Sequence, residues 1–230
     1  MPPRNRHTIP RVREREIHTF TNRHEAGRIL GEMVATLEDI SDGVVLGLIR
    51  GGVPVAFEVA RACSLPLDIL VVRKLGVPWQ PELAMGAIAS GGAIVLNEDL
   101  LRSYHISGQQ LDKVIQQERT ELHRREALYR RGHAAVPIEG HTVILVDDGL
   151  ATGASMRVAI RAVKSDARRV IVAVPVGAKS TCDDLKTMAD DVVCPLTPEP
   201  LEAVSQFYSE FNATSDEEVQ ELLNRKPNRC

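Results

Sequence analysis

Two rhythms of apolar and polar positions run through this chain. Residues 44–49 and 143–146 are unbroken apolar runs, short and β-branched, as expected of parallel strands buried on both faces. Segments 67–72, 170–176 and 191–194 read as strands too. Helical spacing fills the gaps. Asn22 caps a first helix, with Glu25 as its capping-box partner and Ala26, Ile29, Leu30, Met33, Val34 and Leu37 on one face. Pro54 suits the first turn of a helix reaching about Cys63. Ser107 caps a long helix to about Arg131, with Leu111, Val114, Ile115, Leu122 and Leu128 as its stripe and Glu121–Arg125 and Glu126–Arg130 as i,i+4 pairs. Further helices are expected over 154–164, 181–189 and 216–223, the last capped by Ser215. Alternating strands and helices predict an α/β fold, a mainly parallel central sheet flanked by helices.

Residues 73–97 break this rhythm. They carry Gly76, Pro78, Pro81, Gly86, Gly91 and Gly92, and are expected to form a long loop followed by a short hairpin turning at Gly91-Gly92. Residues 1–18 are Pro- and Arg-rich and read as a basic tail. The expected division is a tail over 1–18, a domain over 19–212 and a C-terminal helix and tail over 213–230.

Composition narrows the function. The 230 residues hold 28 basic and 31 acidic side chains, a net charge of -3, which disfavours a nucleic-acid binder. No apolar run approaches the ~20 residues that span a bilayer. The basic N-terminus lacks the apolar stretch of a secretory signal, so a cytoplasmic protein is expected. Four cysteines without a C-x-x-C pair, and histidines without metal-ligand spacing, argue against a disulfide framework or a local zinc site.

The chemistry concentrates in Val143-Ile144-Leu145-Val146-Asp147-Asp148-Gly149-Leu150-Ala151-Thr152-Gly153-Ala154-Ser155. A buried strand delivers two adjacent carboxylates to the sheet's carboxyl edge. A turn of small, hydroxyl-bearing residues then opens a helix. Free N–H groups at the helix start, with the Thr152 and Ser155 hydroxyls, suit a phosphate. The carboxylates would repel it, so they must face neutral or cationic groups. The vicinal hydroxyls of a ribose, with a magnesium ion nearby, meet that need. The loop is not a Walker A sequence, because the lysine and its spacing are missing. The plain alternative is an ordinary strand–turn–helix joint with an acidic rim.

The run resembles the ribose-phosphate loop of type I phosphoribosyltransferases, most closely the adenine-type Asp-Asp-x-Leu-Ala-Thr-Gly order. Two further segments fit the resemblance. Arg50-Gly51-Gly52-Val53-Pro54 stands where that family grips the leaving diphosphate. Arg73-Lys74-Leu75-Gly76 stands ahead of its lid, where two cations would neutralise the diphosphate. Family members also hold the base under a hood built from their termini, a use open to Phe207, Tyr208 and Phe211. The likeness spans roughly residues 20–212. A bacterial group of phosphoribosyltransferase-like proteins shares the Arg-Gly-Gly-Val-Pro-Val-Ala, Arg-Lys-Leu-Gly and Val-Asp-Asp-Gly-Leu-Ala-Thr-Gly runs.

The resemblance implies an enzyme of nucleotide salvage or nucleoside metabolism. It would move the phosphoribosyl group of 5-phospho-α-D-ribosyl 1-diphosphate (PRPP) to a nitrogen acceptor, with a nucleobase the expected class. Asp147 and Asp148 would hold the ribose hydroxyls. Gly149, Leu150, Ala151, Thr152, Gly153, Ala154 and Ser155 would line the phosphate loop, and Arg50, Gly51, Gly52, Arg73 and Lys74 would meet the diphosphate. Glu82 would handle the acceptor's proton. Magnesium would be held through the diphosphate and ribose oxygens, without a protein ligand. Ala151 departs from hypoxanthine-type enzymes, which carry an acidic residue there, so the acceptor stays open. The alternative implied is a PRPP-sensing regulator without transferase activity. A homodimer is also expected as an option, with the long helix near 107–131 as one face.

Overall fold

The structure is a computed structural model that describes residues 19–225. The tail read over 1–18 lies outside the described residues, as does the end of the chain beyond 225. Among the described residues no helix is long and apolar enough to cross a membrane.

A central sheet holds five strands. They are β1 (Val44–Leu48), β2 (Leu67–Leu70), and three later strands, β6 (Thr142–Val146), β7 (Arg169–Ala173) and β8 (Asp191–Val193), in the order β2-β1-β6-β7-β8. All four pairings are parallel. The central strands β1 and β6 are buried at every position, which is why they read as apolar runs. One face, including Val45, Ile144 and Ile171, packs under α1 (Arg23–Val34) and α2 (Gly52–Cys63). The other, including Leu46, Leu145 and Val172, packs under α5 (Ala154–Val163) and α6 (Lys179–Leu185). Asn22 caps α1 through the Glu25 N–H, but the Glu25 carboxylate takes the Thr21 N–H rather than closing a box on Asn22.

Residues 73–97 depart from expectation. They form a second, antiparallel sheet of β3 (Val72–Val77), β4 (Gln80–Ala89) and β5 (Ile94–Leu96). The Gly91-Gly92 turn is present, with both glycines at positive φ, but the segment before it is a hairpin turning at Pro78-Trp79, not a loop. Burial explains this. Leu75, Val77, Met85 and Ile88 are all fully buried, and they pack with Leu122 and Tyr129 of α4 (Gly108–Arg130). The expected strand over 67–72 is split for the same reason. It ends at Leu70, Val71 bonds to Ser90 in both directions, and the chain passes into the second sheet.

A short α3 (Glu98–Ser103) leads into α4, where the Ser107 capping box and both i,i+4 pairs are present. The apolar stripe of α4 is spent inside the chain. It packs on the second sheet and on α7 (Asp216–Asn224), whose Val219 and Leu222 are buried. The expected C-terminal helix, α7, is therefore packed on the body of the domain. The C-terminal stretch also closes on the N-terminal one. Phe20 bridges Tyr208, and backbone bonds of 2.8 Å join Phe20 to Phe207 and Ser209 and Thr21 to Glu210.

Candidate active site

The strand order reverses between β1 and β6: the chain runs outward to β2 on one side and to β7 and β8 on the other. Ligands of open α/β sheets bind at the carboxyl ends of strands at such a switch point. The Gly51-Gly52 loop leaves β1 there, and the Asp147-Asp148 loop leaves β6 beside it.

The two loops touch. A Cβ on Gly51 would lie 2.2 Å from Asp148 Oδ2, and one on Gly52 would lie 2.7 Å from the Val146 carbonyl and 3.1 Å from Asp147 Oδ1. The glycines are thus required by close approach. The Ile49–Arg50 peptide entering this loop is cis. The Arg50 side chain is exposed and lies 3.5 Å from Asp216 at the start of α7.

Asp147 Oδ1 accepts the Asp148 N–H at 2.9 Å. Burial and the Asp148 charge hold the Asp147 carboxyl well above the usual carboxylate range, against smaller opposing effects of that N–H and Arg23. Burial also raises Asp148, and the charge and hydrogen bonds of Arg23 pull it back. Two adjacent, half-buried carboxylates need hydroxyl donors or a cation. This fits vicinal ribose hydroxyls with a magnesium ion on the ligand. Asp147 and Asp148 would accept from the hydroxyls, and the ion would add positive charge beside the ligand's diphosphate.

The rest of the loop is anchored from behind. Leu150 is buried, its N–H bonded to the Val176 carbonyl and its carbonyl to the Ala178 N–H. Both of its backbone groups are thus engaged in fixing the loop. Thr181 Oγ1 donates to the Ala151 carbonyl at 2.7 Å, and Gly149 packs against Val204. Gly153 turns at φ +68 to start α5, which has no side-chain cap. Its first N–H groups, at Ala154, Ser155 and Met156, are without intrahelical acceptors. Thr152, Ala154 and Ser155 are exposed around that end. Thr152 Oγ1 accepts the Ala154 N–H at 3.5 Å, a long bond, and a helix end of this kind suits an anion.

Arg73 and Lys74 are not brought together. Side chains alternate along β3. Arg73 turns to α4 and pairs with Glu118 at 2.7 Å, whereas Lys74 lines a cavity of about 230 Å³ shared with Ala154, Ser155 and Arg157 of α5. Glu82 is exposed near the outer turn of the hairpin and has no ion-pair partner among the described residues. Tyr208 is buried, not a free stacking face. Its ring sits 5.5 Å from that of Phe20 and 4.9 Å from that of Phe211, and its hydroxyl donates to the Asp148 carbonyl at 2.7 Å. Burial pushes its phenol above the usual range. Phe207 is half-buried in the same cluster.

Arg23 was not among the expected site residues, yet it pairs with Asp148. One sequence signal pointed to it. A cation in the first turn of a helix opposes the helix dipole and needs an answering charge.

Residues 22–209 match the family model described as the phosphoribosyl transferase domain. Two Mycobacterium tuberculosis proteins that carry provisional phosphoribosyl transferase names are each 46% identical over 207 residues, 90% of this chain and 46% of theirs. The chain thus spans about half the length of these curated relatives. The crystal structure of TT1426 from Thermus thermophilus is 42% identical and superposes with a TM-score of 0.77, covering 89% of this chain and 97% of that one.

Proposed function

The chain belongs to the phosphoribosyl transferase family, and on that footing we propose that it transfers the phosphoribosyl group of PRPP to a nitrogen acceptor of the nucleobase class. The observation that carries this reading is the contact between the two loops: half-buried Asp147 and Asp148 lie against Gly51 and Gly52, next to the start of α5. One site then offers acceptors for ribose hydroxyls, a cradle for a diphosphate and donors for a 5-phosphate.

The reaction breaks the bond from ribose C1 to the diphosphate oxygen and forms a bond from C1 to the acceptor nitrogen, whose proton leaves. Positive charge develops on the ribose ring, and the Asp147–Asp148 pair offsets it. Thr152, Ala154 and Ser155 hold the 5-phosphate through backbone and hydroxyl donors. The backbone of Gly51 and Gly52 faces the diphosphate, with Arg50 at its outer side. Lys74 adds a cation for the ligand's phosphates from the hairpin. Glu82, farther out on that hairpin, is the carboxylate available to the acceptor's proton. A magnesium ion carried by PRPP would neutralise the leaving diphosphate.

The test is diphosphate release from magnesium–PRPP with a panel of purine and pyrimidine bases, a no-base control, and the double variant Asp147→Ala, Asp148→Ala. Release that needs a base and is lost in the variant supports the transferase and names its acceptor. PRPP at 100 times its dissociation constant should stabilise by about 2.7 kcal/mol. That is a melting shift of about 5–10 °C for a chain this long. A full shift without release from any base would replace the transferase by a PRPP sensor, and no shift would overturn PRPP as the ligand.

A further inference from the structure

Arg23 sits in the first turn of α1, where its charge gains nothing from the helix. Its guanidinium instead crosses to the acidic loop, 125 residues away in sequence. Nε lies 2.8 Å and Nη2 2.7 Å from Asp148 Oδ2. Nη1 donates to the Asn212 carbonyl at 2.6 Å, and Cζ lies 3.9 Å from the centre of the Phe211 ring. The side chains of Arg23 and Asp148 are 11% and 17% exposed, so this is not a solvated surface pair.

We infer that Arg23 is a positioning residue: it holds the Asp148 carboxylate against the Gly51 loop and ties it to the C-terminal hood through Phe211 and Asn212. The catalytic consequence rests on the transferase reading above, whereas the geometry stands without it.

The groups around Asp148 make Arg23 hard to replace. Asp147 faces it from its own loop, Tyr208 donates to its main-chain carbonyl from the hood, and Gly51 closes on its Oδ2 from the start of α2. Arg23 is the cation among them. Without it, two neighbouring carboxylates share a desolvated corner, and Asp148 loses both partners of its outer oxygen. The planar fork also does two tasks at once, bonding in its plane and stacking on Phe211 with its face. An ammonium group cannot do both. The hood and the acidic loop therefore move as one body. A base held under the hood is kept in register with a ribose held by the acids.

Amide hydrogen exchange on the ligand-free full chain tests this, using wild type and Arg23→Gln. The variant should exchange about tenfold faster at residues 147–151 and 208–212, as loss of a charge-assisted hydrogen-bond pair implies, with residues 170–173 of β7 unchanged. Magnesium–PRPP should then bind the variant about tenfold more weakly at neutral pH, and the deficit should shrink as the pH rises and the carboxylates ionise without help. Unchanged exchange at either segment overturns the clamp. So does equal acceleration through β7, which would mean general destabilisation. Arg23→Lys is carried alongside, and if Arg23→Gln does not fold, exchange at the same segments of Arg23→Lys decides the matter by the same criteria. Failure of wild type to bind PRPP would sink the transferase reading alone, because the exchange result needs no ligand.

Discussion

A side chain on Gly51 would begin 2.2 Å from Oδ2 of Asp148, inside any real contact distance. The obstacle at Gly51 is a carboxylate that can swing away, whereas at Gly52 it is backbone, the Val146 carbonyl at 2.7 Å and the Asp147 Cα at 2.9 Å. Gly51→Ala is therefore expected to fold and lose PRPP binding, since it displaces Asp148 from Arg23. Gly52→Ala is expected to lose about 1–3 kcal/mol of stability as overpacking. Thermal melts with and without magnesium–PRPP separate the two. A Gly51→Ala protein that binds normally would show that the placement of Asp148 does not matter.

Asp147 trades stability for function. Burial and the Asp148 charge raise its carboxyl above the ordinary range. Between the unfolded value near 3.9 and the raised value, the folded protein binds more protons than the unfolded chain. Stability therefore falls as pH rises through that window. Asp147→Asn removes the repulsion while its Oδ1 can still accept the Asp148 N–H. It should melt about 3 °C higher at pH 8, equivalent to roughly 1 kcal/mol, and lose the PRPP-induced shift. An unchanged or lower melting temperature would show that the pair carries no electrostatic cost.

The same titration sets the acid side of ligand binding, with the opposite sign. Ribose hydroxyls need ionised acceptors, so PRPP affinity should fall as the pH drops through the raised value rather than through the ordinary carboxylate range. Calorimetric dissociation constants between pH 5 and pH 8 give the profile. Affinity constant across that interval would place the pair in the usual range.

Arg73 and Lys74 are neighbours in sequence with opposite tasks. Arg73 joins a partly exposed ion pair with Glu118, which is worth less than about 1 kcal/mol. Arg73→Ala should change melting by no more than about 3 °C and leave diphosphate release within a few-fold. Lys74→Ala should leave melting alone and lower release by about 10²-fold, the usual loss of one charged donor in such a site. Equal losses in release would mean that Arg73 leaves Glu118 during the reaction.

Tyr208 supports the acidic loop from below. Tyr208→Phe leaves the Asp148 carbonyl without its 2.7 Å donor. The cost should be about 1–3 kcal/mol, or roughly 3–8 °C in melting, with weaker PRPP binding. If binding is intact, the loop backbone is held well enough by its anchors at Leu150 and Ala151.

Local signals announced much of this. The inner strands β1 and β6 show themselves because a strand buried on both faces is apolar almost throughout. The caps at Asn22, Ser107 and Ser215 were legible because a helix end needs a side-chain acceptor within three residues. The second sheet was not legible. Gln80–Ala89 has no two-residue alternation and carries Pro81 and Gly86. Its strand character comes from β3, paired with it across the Pro78-Trp79 turn, and from α4, which covers it from far along the chain. The same holds at the site. Asp147 and Asp148 declare themselves as a pair at a strand end, but nothing near them in sequence names Arg23, Gly51 or Tyr208 as neighbours.

Hydrophobic period and residue types a few positions apart were enough to specify the α/β pattern, the acidic loop with its open helix start, and the glycine loop after the first strand. No local pattern could say that Arg73 turns away from Lys74, that the backbone of Leu150 anchors the loop to Val176 and Ala178, or that Arg23 closes on Asp148 under the hood. Each of these depends on which distant group fills the space beside a side chain, and so on the folded arrangement as a whole. Burial makes that choice, because in a desolvated corner a charge must find its partner wherever the fold supplies one.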